Sequence, residues 1–183
     1  MIRIIDFILA LVGLILTLPV LVLLCLLGFW KYKYPLFVQS RIGLDCKTFT
    51  LVKFRTMDVG TKDLPTHLVS GVNLSRYGKF LRNSKLDELP QMWNVLLGDM
   101  SFVGPRPCLP TQLSVIDARL EKDLYKFRPG ITGFAQIEGI DMSMPIELAR
   151  SDSKTMKNLS LKSYFKIICS TILGKGFGDP YQH

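Results

Sequence analysis

This chain has few histidines, no closely spaced pair of cysteines, and fewer acidic than basic residues. Its 183 residues include His67, His183 and four cysteines without a Cys-x-x-Cys pair. This pattern argues against an imidazole-based metal site, a zinc site and a disulfide scaffold, and the length allows one domain. Fifteen Asp and Glu stand against 23 Lys and Arg, a formal net charge of +8. Such a surplus indicates an anionic partner: nucleic acid, lipid headgroups or phosphorylated small molecules.

Charge is also absent from Phe7–Trp30, a run of 24 residues. As a helix this run would measure about 36 Å, enough to cross a bilayer core of roughly 30 Å. Pro19 falls in its middle, where it removes a backbone hydrogen bond. Because Arg3 precedes the run and Lys31 follows it, the positive-inside rule draws both ends toward the cytoplasm. A spanning helix and a re-entrant helix broken at Leu18–Pro19 both remain open.

Basic residues dominate the stretch that follows. Between Lys31 and Lys85 the chain has eleven Lys or Arg and three Asp. Directly after a membrane segment, such a stretch normally contacts anionic headgroups. It also supports a competing class, a non-enzymatic membrane-anchored module that binds anionic lipid or nucleic acid. No helix-turn-helix, zinc finger or RNP-type motif makes nucleic acid specific.

The pattern of apolar and turn residues predicts short elements beyond the apolar run. β-branched and aromatic residues predict a strand over Thr48–Phe54. Gly98 is the expected cap of a helix, and the Pro-Gly punctuation of 128–133 predicts a loop. The spacing of apolar residues after position 160 predicts an amphipathic helix, either on the membrane surface or against a soluble core. The helices predicted are 75–82, 87–97, 110–126 and 161–173.

Two adjacent carboxylates, Asp87 and Glu88, precede Pro90, which is tolerated only in the first turn of a helix. They therefore lie at or near a helix N-terminus, where N–H groups and the helix dipole favour negative charge and attract phosphate. With a bridging Mg²⁺, a carboxylate there could attack a phosphorus centre. The plain alternative is structural, with Asp87 as a helix cap and Glu88 as a first-turn acid.

Three motifs in order carry a family resemblance. They are Lys53-Phe54-Arg55-Thr56-Met57, the segment from Trp93-Asn94-Val95 through Gly104-Pro105-Arg106-Pro107, and Arg128-Pro129-Gly130-Ile131-Thr132-Gly133. Together they resemble the bacterial monotopic phosphoglycosyl transferases, also called bacterial sugar transferases. The resemblance runs from the apolar N-terminus to about residue 170.

That resemblance implies a membrane enzyme that transfers a sugar 1-phosphate from a UDP-sugar to polyprenyl (undecaprenyl) phosphate and releases UMP. The reaction would open the membrane stage of glycan assembly. The resemblance further implies that Asp87 is the nucleophile of a covalent phospho-sugar intermediate. It makes Mg²⁺ the cofactor, held by Asp87 and Glu88, with Glu88 assisting the metal or the acceptor phosphate. The sugar expected is an N-acetylated amino sugar, with UDP-galactose or UDP-glucose as the alternative.

The family's architecture favours the re-entrant interpretation of the apolar run, with its break at Leu18 and Pro19. The expected fold class is therefore α+β and mostly helical. A re-entrant membrane helix-break-helix over 1–33 would join interfacial amphipathic helices, 161–173 among them, around a small cytoplasmic catalytic domain over 34–183. The expected location is the cytoplasmic face of the bacterial inner membrane. Its anionic lipids would be partners, nucleic acid would not, and a homodimer is left open.

Six side chains are candidates for binding substrate phosphate. Arg106 stands between two prolines that fix its backbone, so it could aim a planar guanidinium at phosphate oxygens. The alternative for each cation is a surface salt bridge or headgroup contact, and for Gln136 an ordinary polar strand residue. The candidates are Arg82, Arg106, Lys53, Arg55, Arg128 and Gln136.

The chain departs from the family pattern at three places. Leu18 stands where a Ser usually precedes the proline of the break, which leaves Thr17 to supply a hydroxyl. Ile137-Glu138-Gly139 replaces an Asn-Gly-Arg segment, and Lys154 and Thr155 replace the paired tyrosines that usually follow the Asp at position 152. The last two regions bear on sugar choice, so the resemblance does not identify the sugar.

Overall fold

The structure, a computed structural model, describes residues 1–58 and 74–174. The rest of the predicted catalytic region 34–183, with both histidines, lies outside the described residues. Helices and two small sheets confirm the predicted α+β, mostly helical class. The helices are α1 (Ile2–Tyr32), α2 (Arg76–Asn83), α3 (Gln91–Leu97), α4 (Leu113–Leu120), α5 (Phe134–Ile137), α6 (Pro145–Lys157) and α7 (Leu161–Ile172). The strands are β1 (Leu36–Ile42), β2 (Thr48–Phe54), β3 (Ser101–Val103) and β4 (Gly130–Thr132).

The strands form two separate pairs. β1 and β2 make an antiparallel hairpin that begins with Leu36 opposite Phe54. β3 and β4 pair in parallel, with Ser101 beside Gly130. The strand predicted over Thr48–Phe54 is confirmed at both ends, because its alternating β-branched and aromatic residues and its turn are local in sequence.

Helix ends are confirmed where a local cap defines them. The Ser75 side chain accepts a hydrogen bond from the first turn of α2, and Gly98 ends α3 with a left-handed backbone (φ 97°). The start of α3 differs from the prediction, because Leu86–Glu88 form a separate 3-10 turn. The helix itself begins only after Pro90, its N-cap.

Two local predictions are wrong. The helix predicted over 110–126 ends at Leu120, and a 3-10 turn follows at Leu124–Lys126. Asp123 between them has a left-handed backbone (φ 59°), which a continuing helix does not allow. The loop predicted over 128–133 contains β4, because β3 supplies its pairing partner from far along the chain. Turn signals do not reveal such a partner.

α1 is a single helix from Ile2 to Tyr32 that continues through Pro19. The helix-break-helix predicted at Leu18–Pro19 is therefore corrected to one helix over these described residues. A proline in a long helix removes only one hydrogen bond among many. In addition, Thr17 Oγ1 donates to the carbonyl oxygen of Gly13, one helical turn before Thr17 (2.7 Å). By length and composition, α1 is apolar enough to cross a membrane.

One face of α1 packs against the rest of the protein near both of its ends. Near the start, Arg3 donates to the carbonyl oxygens of Val95 and Leu96 at the end of α3. Near the end, Tyr32 Oη donates to Thr56 O (3.0 Å). The buried residues that share this face are Asp6, Ala10, Leu24, Gly28 and Tyr32. Large apolar side chains on the remaining faces are exposed, including Ile4, Leu11, Ile15, Leu16, Leu23, Leu26 and Trp30.

Among residues 1–58 and 74–174 the core consists of four apolar clusters, and residues of α1 take part in three of them. Ala10 packs with β2, α3 and Met100, and Leu24 packs with β2 and α2. Tyr164 and Ile167 of α7 form the buried face of that helix, so the predicted amphipathic helix has its bounds confirmed. The cluster without α1 joins β1, α4, α5 and α6 around Cys108.

Candidate active site

The Asp-Glu pair lies in the short turn between α2 and α3. Lys85 precedes it with a left-handed backbone (φ 56°), and Leu86–Glu88 form a single 3-10 turn. Leu86 packs against the cluster shared by α1, α2 and β2. Asp87 is buried, with 9% of its surface exposed, and Glu88 is half-buried. Since Pro90 is the cap of α3, the alternative in which the aspartate serves as that cap is wrong.

Arg106, a predicted phosphate ligand, contacts the Asp-Glu pair. Its Nη2 donates to Glu88 Oε1 at 3.2 Å. The two side chains are 39% and 21% exposed, so the ion pair contributes little to stability, typically about 0–1 kcal/mol. Its consequence is positional, because it holds a guanidinium against the carboxylate of Glu88, the chain neighbour of Asp87. An anionic ligand arriving here meets a fixed cation next to a potential nucleophile.

The loop that carries Arg106 is fixed through its backbone by three different segments, β4, α4 and β1. Pro105 and Pro107 have no N–H, so the loop is held mainly by hydrogen bonds that its carbonyl oxygens accept from outside. The bonds are Gly104 N to Thr132 O (2.9 Å), Gly130 N to Pro105 O (3.0 Å), Arg119 Nη1 to Arg106 O (2.7 Å), Arg41 Nη1 to Pro107 O (3.0 Å) and Ile42 N to Cys108 O (2.9 Å).

Two glycines allow this loop to cross the β4 segment at backbone contact. A Cβ on Gly104 would lie 2.4 Å from Arg128 O, and one on Gly130 would lie 2.1 Å from Gly104 N. No side chain fits at either position. The Gly-Pro-Arg-Pro and Arg-Pro-Gly motifs, which are far apart in sequence, are therefore two sides of one contact.

The other basic candidates near the pair lie on α2 and on the hairpin. Arg82, in the last turn of α2, donates from Nε to Thr56 Oγ1 (3.0 Å) just beyond β2. Lys53 Nζ and the Arg55 guanidinium lie 5.5 and 5.3 Å from the centre of the Phe37 ring. These two cations share one aromatic ring at the open end of the hairpin, where β2, the strand that packs against the Asp-Glu turn, ends.

Arg128 and Gln136 lie in different surroundings. Arg128 Nε donates to Gly98 O (2.7 Å) at the C-terminal end of α3, where a cation complements the helix dipole. By helix rise this end is roughly 15 Å from Glu88, so the structure does not bring Arg128 to the pair. Gln136 lies beside Gly133, next to the start of the Arg106 loop, and its buried Oε1 has no hydrogen-bond partner among the described residues.

Comparison with known proteins assigns the chain to a family. The family model for bacterial sugar transferases matches residues 1–176. The chain belongs to the bacterial sugar transferase family. The resemblance inferred from the motifs is thereby confirmed over nearly the whole length of this sugar transferase.

Three similar proteins of the family have the following identities and coverages. The uncharacterized sugar transferase EpsL of Bacillus subtilis is 40% identical over 139 residues, which cover 74% of this chain and 67% of EpsL. The UDP-glucose:undecaprenyl-phosphate glucose-1-phosphate transferase of Klebsiella pneumoniae is 38% identical over a region that covers 75% of this chain and 30% of the Klebsiella protein. The UDP-N-acetylgalactosamine-undecaprenyl-phosphate N-acetylgalactosaminephosphotransferase of Aeromonas hydrophila is 34% identical over a region that covers 78% of this chain and 36% of the Aeromonas protein. This sugar transferase thus spans about a third of the length of the latter two.

Sequence reasoning missed several residues that support the site of this sugar transferase. Arg119 and Arg41 donate to backbone carbonyls, and Arg119 also bonds to Asp152, which the family pattern marks but gives no role; no sequence spacing reveals such contacts. Asp6 had a visible signal, since it is the lone acid at the start of an apolar helix. Its Oδ1 accepts hydrogen bonds from Ser101 Oγ (3.0 Å), Phe102 N (3.1 Å) and Tyr164 Oη (2.6 Å). Burial and the bond to Asp6 raise the pKa of Tyr164, which keeps this phenol a neutral donor.

The carboxylates of the sugar transferase suit one kind of metal site. Among residues 1–58 and 74–174 no group of three or more His, Cys, Asp or Glu could hold a metal ion. Mg²⁺ is usually bound through one or two carboxylates plus substrate phosphates rather than by an all-protein cage. Asp87 and Glu88, adjacent and at the boundary between core and solvent, fit that mode.

Proposed function

We propose that this sugar transferase moves a sugar 1-phosphate from a UDP-sugar to undecaprenyl phosphate and releases UMP. The observation that carries the proposal is the Asp87–Glu88 turn facing Arg106 on a loop fixed through its backbone. The names of the Klebsiella and Aeromonas relatives both include undecaprenyl phosphate and so support the same substrate class.

The chemistry follows from a nucleophilic carboxylate. An Asp87 oxygen attacks the phosphorus that bears the sugar, forming an acyl phosphate, and the bond from that phosphorus to the bridging oxygen breaks. The electron pair leaves with the bridging oxygen as UMP. An oxygen of undecaprenyl phosphate then attacks the same phosphorus, and the aspartate leaves as a carboxylate. Two anionic substrates thus use one basic site in turn rather than together.

Neighbouring groups have complementary tasks. Arg106 binds phosphate oxygens and Glu88 orients its guanidinium, as the 3.2 Å contact supports. Asp87 and Glu88 would hold Mg²⁺, which supplies charge neutralisation for the diphosphate when bound. Arg82 is the next candidate clamp, because it ends the helix that leads into the Asp87 turn. The Lys53–Arg55 cluster is suited to anionic headgroups beside the site.

The protein lies on the cytoplasmic face of the bacterial inner membrane without crossing it, in this proposal. The support is that Arg3 and Tyr32, near opposite ends of α1, both bond to the same folded body. A helix of 31 residues extends about 46 Å, so a spanning α1 would leave one of these contacts in the opposite aqueous phase. α1 instead lies with its apolar face in lipid, joined by exposed Phe165 and Ile172 of α7.

The sugar is proposed to be an N-acetylated amino sugar, with glucose or galactose as the alternative. Both kinds of sugar occur in the relatives' names, so the assignment calls for a direct assay. UMP release from a panel of UDP-sugars, with undecaprenyl phosphate present, ranks them by rate. Fastest release from UDP-glucose or UDP-galactose would overturn the amino-sugar assignment and leave the reaction class intact.

The reaction itself is tested with UDP-sugar alone and intact-protein mass spectrometry. Wild type should gain one sugar-phosphate adduct and release UMP, and undecaprenyl phosphate should discharge the adduct. Asp87→Asn keeps the side-chain size but cannot form the acyl phosphate, so turnover should fall by about 10⁴-fold or more. Glu88→Gln should slow the reaction severely but still allow the adduct to be trapped.

Asp117→Asn on the exposed face of α4 is the matched control and should retain wild-type turnover. An adduct on Asp87→Asn would show that the nucleophile is another residue. Absence of UMP release with every UDP-sugar would favour the non-enzymatic membrane-binding class.

A further inference from the structure

Arg119 and Asp152 form a buried ion pair behind the proposed active site. Arg119 lies in α4 and is 2% exposed, and Asp152 lies in α6 and is 4% exposed. Arg119 Nη2 donates to Asp152 Oδ2 at 2.9 Å, while its Nη1 donates to Arg106 O at 2.7 Å. One guanidinium therefore joins α6 to the peptide group of Arg106.

The pair is poorly suited to a purely stabilising role. Removing two charges from water carries a desolvation cost that their attraction repays only with full hydrogen bonding. Arg119 Nε is buried without a hydrogen-bond partner among the described residues. Burial raises the pKa of the Asp152 carboxyl, and the Arg119 charge only partly offsets it. An apolar contact between α4 and α6 would be easier to stabilise.

The Arg106 peptide is where such a donor has a specific use. The prolines on either side of Arg106 have no N–H, so neither can anchor the loop as a donor. The orientation of the loop therefore depends on the hydrogen bonds that its carbonyl oxygens accept. The Arg119 guanidinium supplies the bond at Arg106, the residue that contacts Glu88. The direction of the Arg106 peptide sets the direction in which its side chain leaves the backbone.

We propose that Arg119, oriented by Asp152, is a positioning residue that fixes the Arg106 carbonyl and thereby aims the Arg106 guanidinium at the reacting phosphate beside Glu88. The inference rests on the proposed function. Neither Arg119 nor Asp152 touches substrate; both act through Arg106.

The test is a double-mutant cycle between Arg119→Lys and Arg106→Ala. A lysine keeps the positive charge for Asp152 but lacks the fork that bonds two acceptors at once. On its own, Arg119→Lys should lower kcat for adduct formation by about 10- to 100-fold, because small misplacement of a catalytic group has effects of this size. KM for the UDP-sugar should change by less than about threefold, since binding of the rest of the substrate is untouched.

In the Arg106→Ala background, Arg119→Lys should lower kcat by less than about twofold, because the side chain that it aims is gone. Equal losses in both backgrounds would overturn the inference. Asp152→Asn retains an oxygen that accepts from Arg119, so it should keep more activity than Asp152→Ala; equal loss in both would also contradict it. These two variants carry the test if Arg119→Lys does not fold.

Leu51→Ala provides the stability control. It opens a cavity in the Ala10–Val95–Met100 cluster, which contains neither the ion pair nor the Arg106 loop. Its melting temperature should fall while kcat, measured below the transition, stays within about twofold of wild type. A kcat that follows melting temperature in all variants alike would identify a purely structural role. If wild type forms no adduct and releases no UMP, the proposed function fails first, and the two failures are distinct.

Discussion

Asn94 shows how a single amide can replace part of a strand. It is 1% exposed, and its side chain faces the edge of β2 that is not paired with β1. Its Oδ1 accepts from Val52 N (3.1 Å), and its Nδ2 donates to Thr50 O (2.7 Å). The helix that follows the Asp-Glu turn is therefore tied to the hairpin by two backbone-like hydrogen bonds.

Replacing Asn94 with alanine should destabilise the fold by about 2–4 kcal/mol. The variant leaves two partly buried groups of β2, Val52 N–H and Thr50 C=O, without the partners that the Asn94 amide supplies, and each such loss typically costs about 1–3 kcal/mol. The free energy of unfolding, from denaturant titration in detergent, measures the effect.

Asn158→Ala is the matched control for this prediction. Asn158 is exposed, and its Nδ2 donates to Lys154 O at the end of α6 (2.9 Å). Removing this surface bond should change the free energy of unfolding by less than about 0.5 kcal/mol. Equal effects of the two substitutions would show that the bridge to β2 contributes nothing particular.

At the scale of elements, α1 has one buried face and one exposed apolar surface. One face is buried against β2, α2, α3 and α7, while exposed leucines, isoleucines and aromatics cover the rest. A helix that only anchors a domain would not need a polar group such as Asp6 bonded to Ser101 and Tyr164. Its contacts near both ends lead to a prediction about topology.

Both ends of α1 should be inaccessible from the periplasm. Single cysteines, one added ahead of Met1 and one replacing exposed Tyr34, would be probed in a Cys169→Ser background. An impermeant thiol reagent should label neither in intact spheroplasts and both after permeabilisation. Labelling of one cysteine in intact cells would establish a spanning helix and contradict the monotopic proposal.

How far the sequence predicts an element depends on how local its determinants are. Thr48–Phe54 and the Gly98 cap are decided by neighbouring residues, and both are confirmed. β4 depends on a parallel partner nearly thirty positions away, so turn residues at 128–133 misled the prediction. The helix through Pro19 was predicted to break because proline chemistry is local, whereas the packing on either side of it is not.

The site residues also differ in how far the sequence reveals them. Asp87, Glu88 and Arg106 are recognisable because their side chains are the ones that the proposed chemistry needs, and the structure brings Arg106 to Glu88. Arg119 and Arg41 contribute through carbonyl oxygens, which every residue has. Their role could not be predicted because it depends on where the backbone of a distant loop passes.

At the scale of the whole molecule, the segment predicted as an anchor, 1–33, shares its core with the part of 34–183 that the structure describes. Three of the four core clusters include α1 residues. The Asp87 turn itself rests, through Leu86, on the cluster that contains Leu24. Removal of α1 would expose apolar surface directly beneath the proposed site.

Deletion of residues 1–33 should therefore abolish cooperative unfolding and activity together, even in detergent. Circular dichroism during thermal denaturation and UMP release would measure both. Ile15→Ser with Leu16→Ser is the control, because these two side chains are exposed on the outer face of α1. It should fold in detergent but bind liposomes more weakly. A deletion variant that folds and turns over would show that α1 is only an anchor.

Metal dependence is a property of enzyme and substrate together. Two carboxylates facing a diphosphate predict loss of UMP release after exhaustive EDTA treatment and recovery with Mg²⁺. Mn²⁺ should substitute in part, since both ions accept octahedral oxygen ligands. Full activity in EDTA would contradict the assignment of Asp87 and Glu88 as metal ligands.

The bond between Asp6 and Tyr164 joins residues 158 positions apart. A ribosome adds about 5–20 residues per second, so it needs roughly 8 to 30 s after adding Asp6 to reach Tyr164. For much of that interval the inner face of α1 lacks some of the elements that it finally packs against, and for the last part of it the helix is already outside the ribosome. Lipid or a chaperone must cover that face first and then yield it to α3, β3 and α7. In the proposed membrane arrangement, one side of the first helix therefore changes its surroundings during biogenesis while the other side stays in the bilayer.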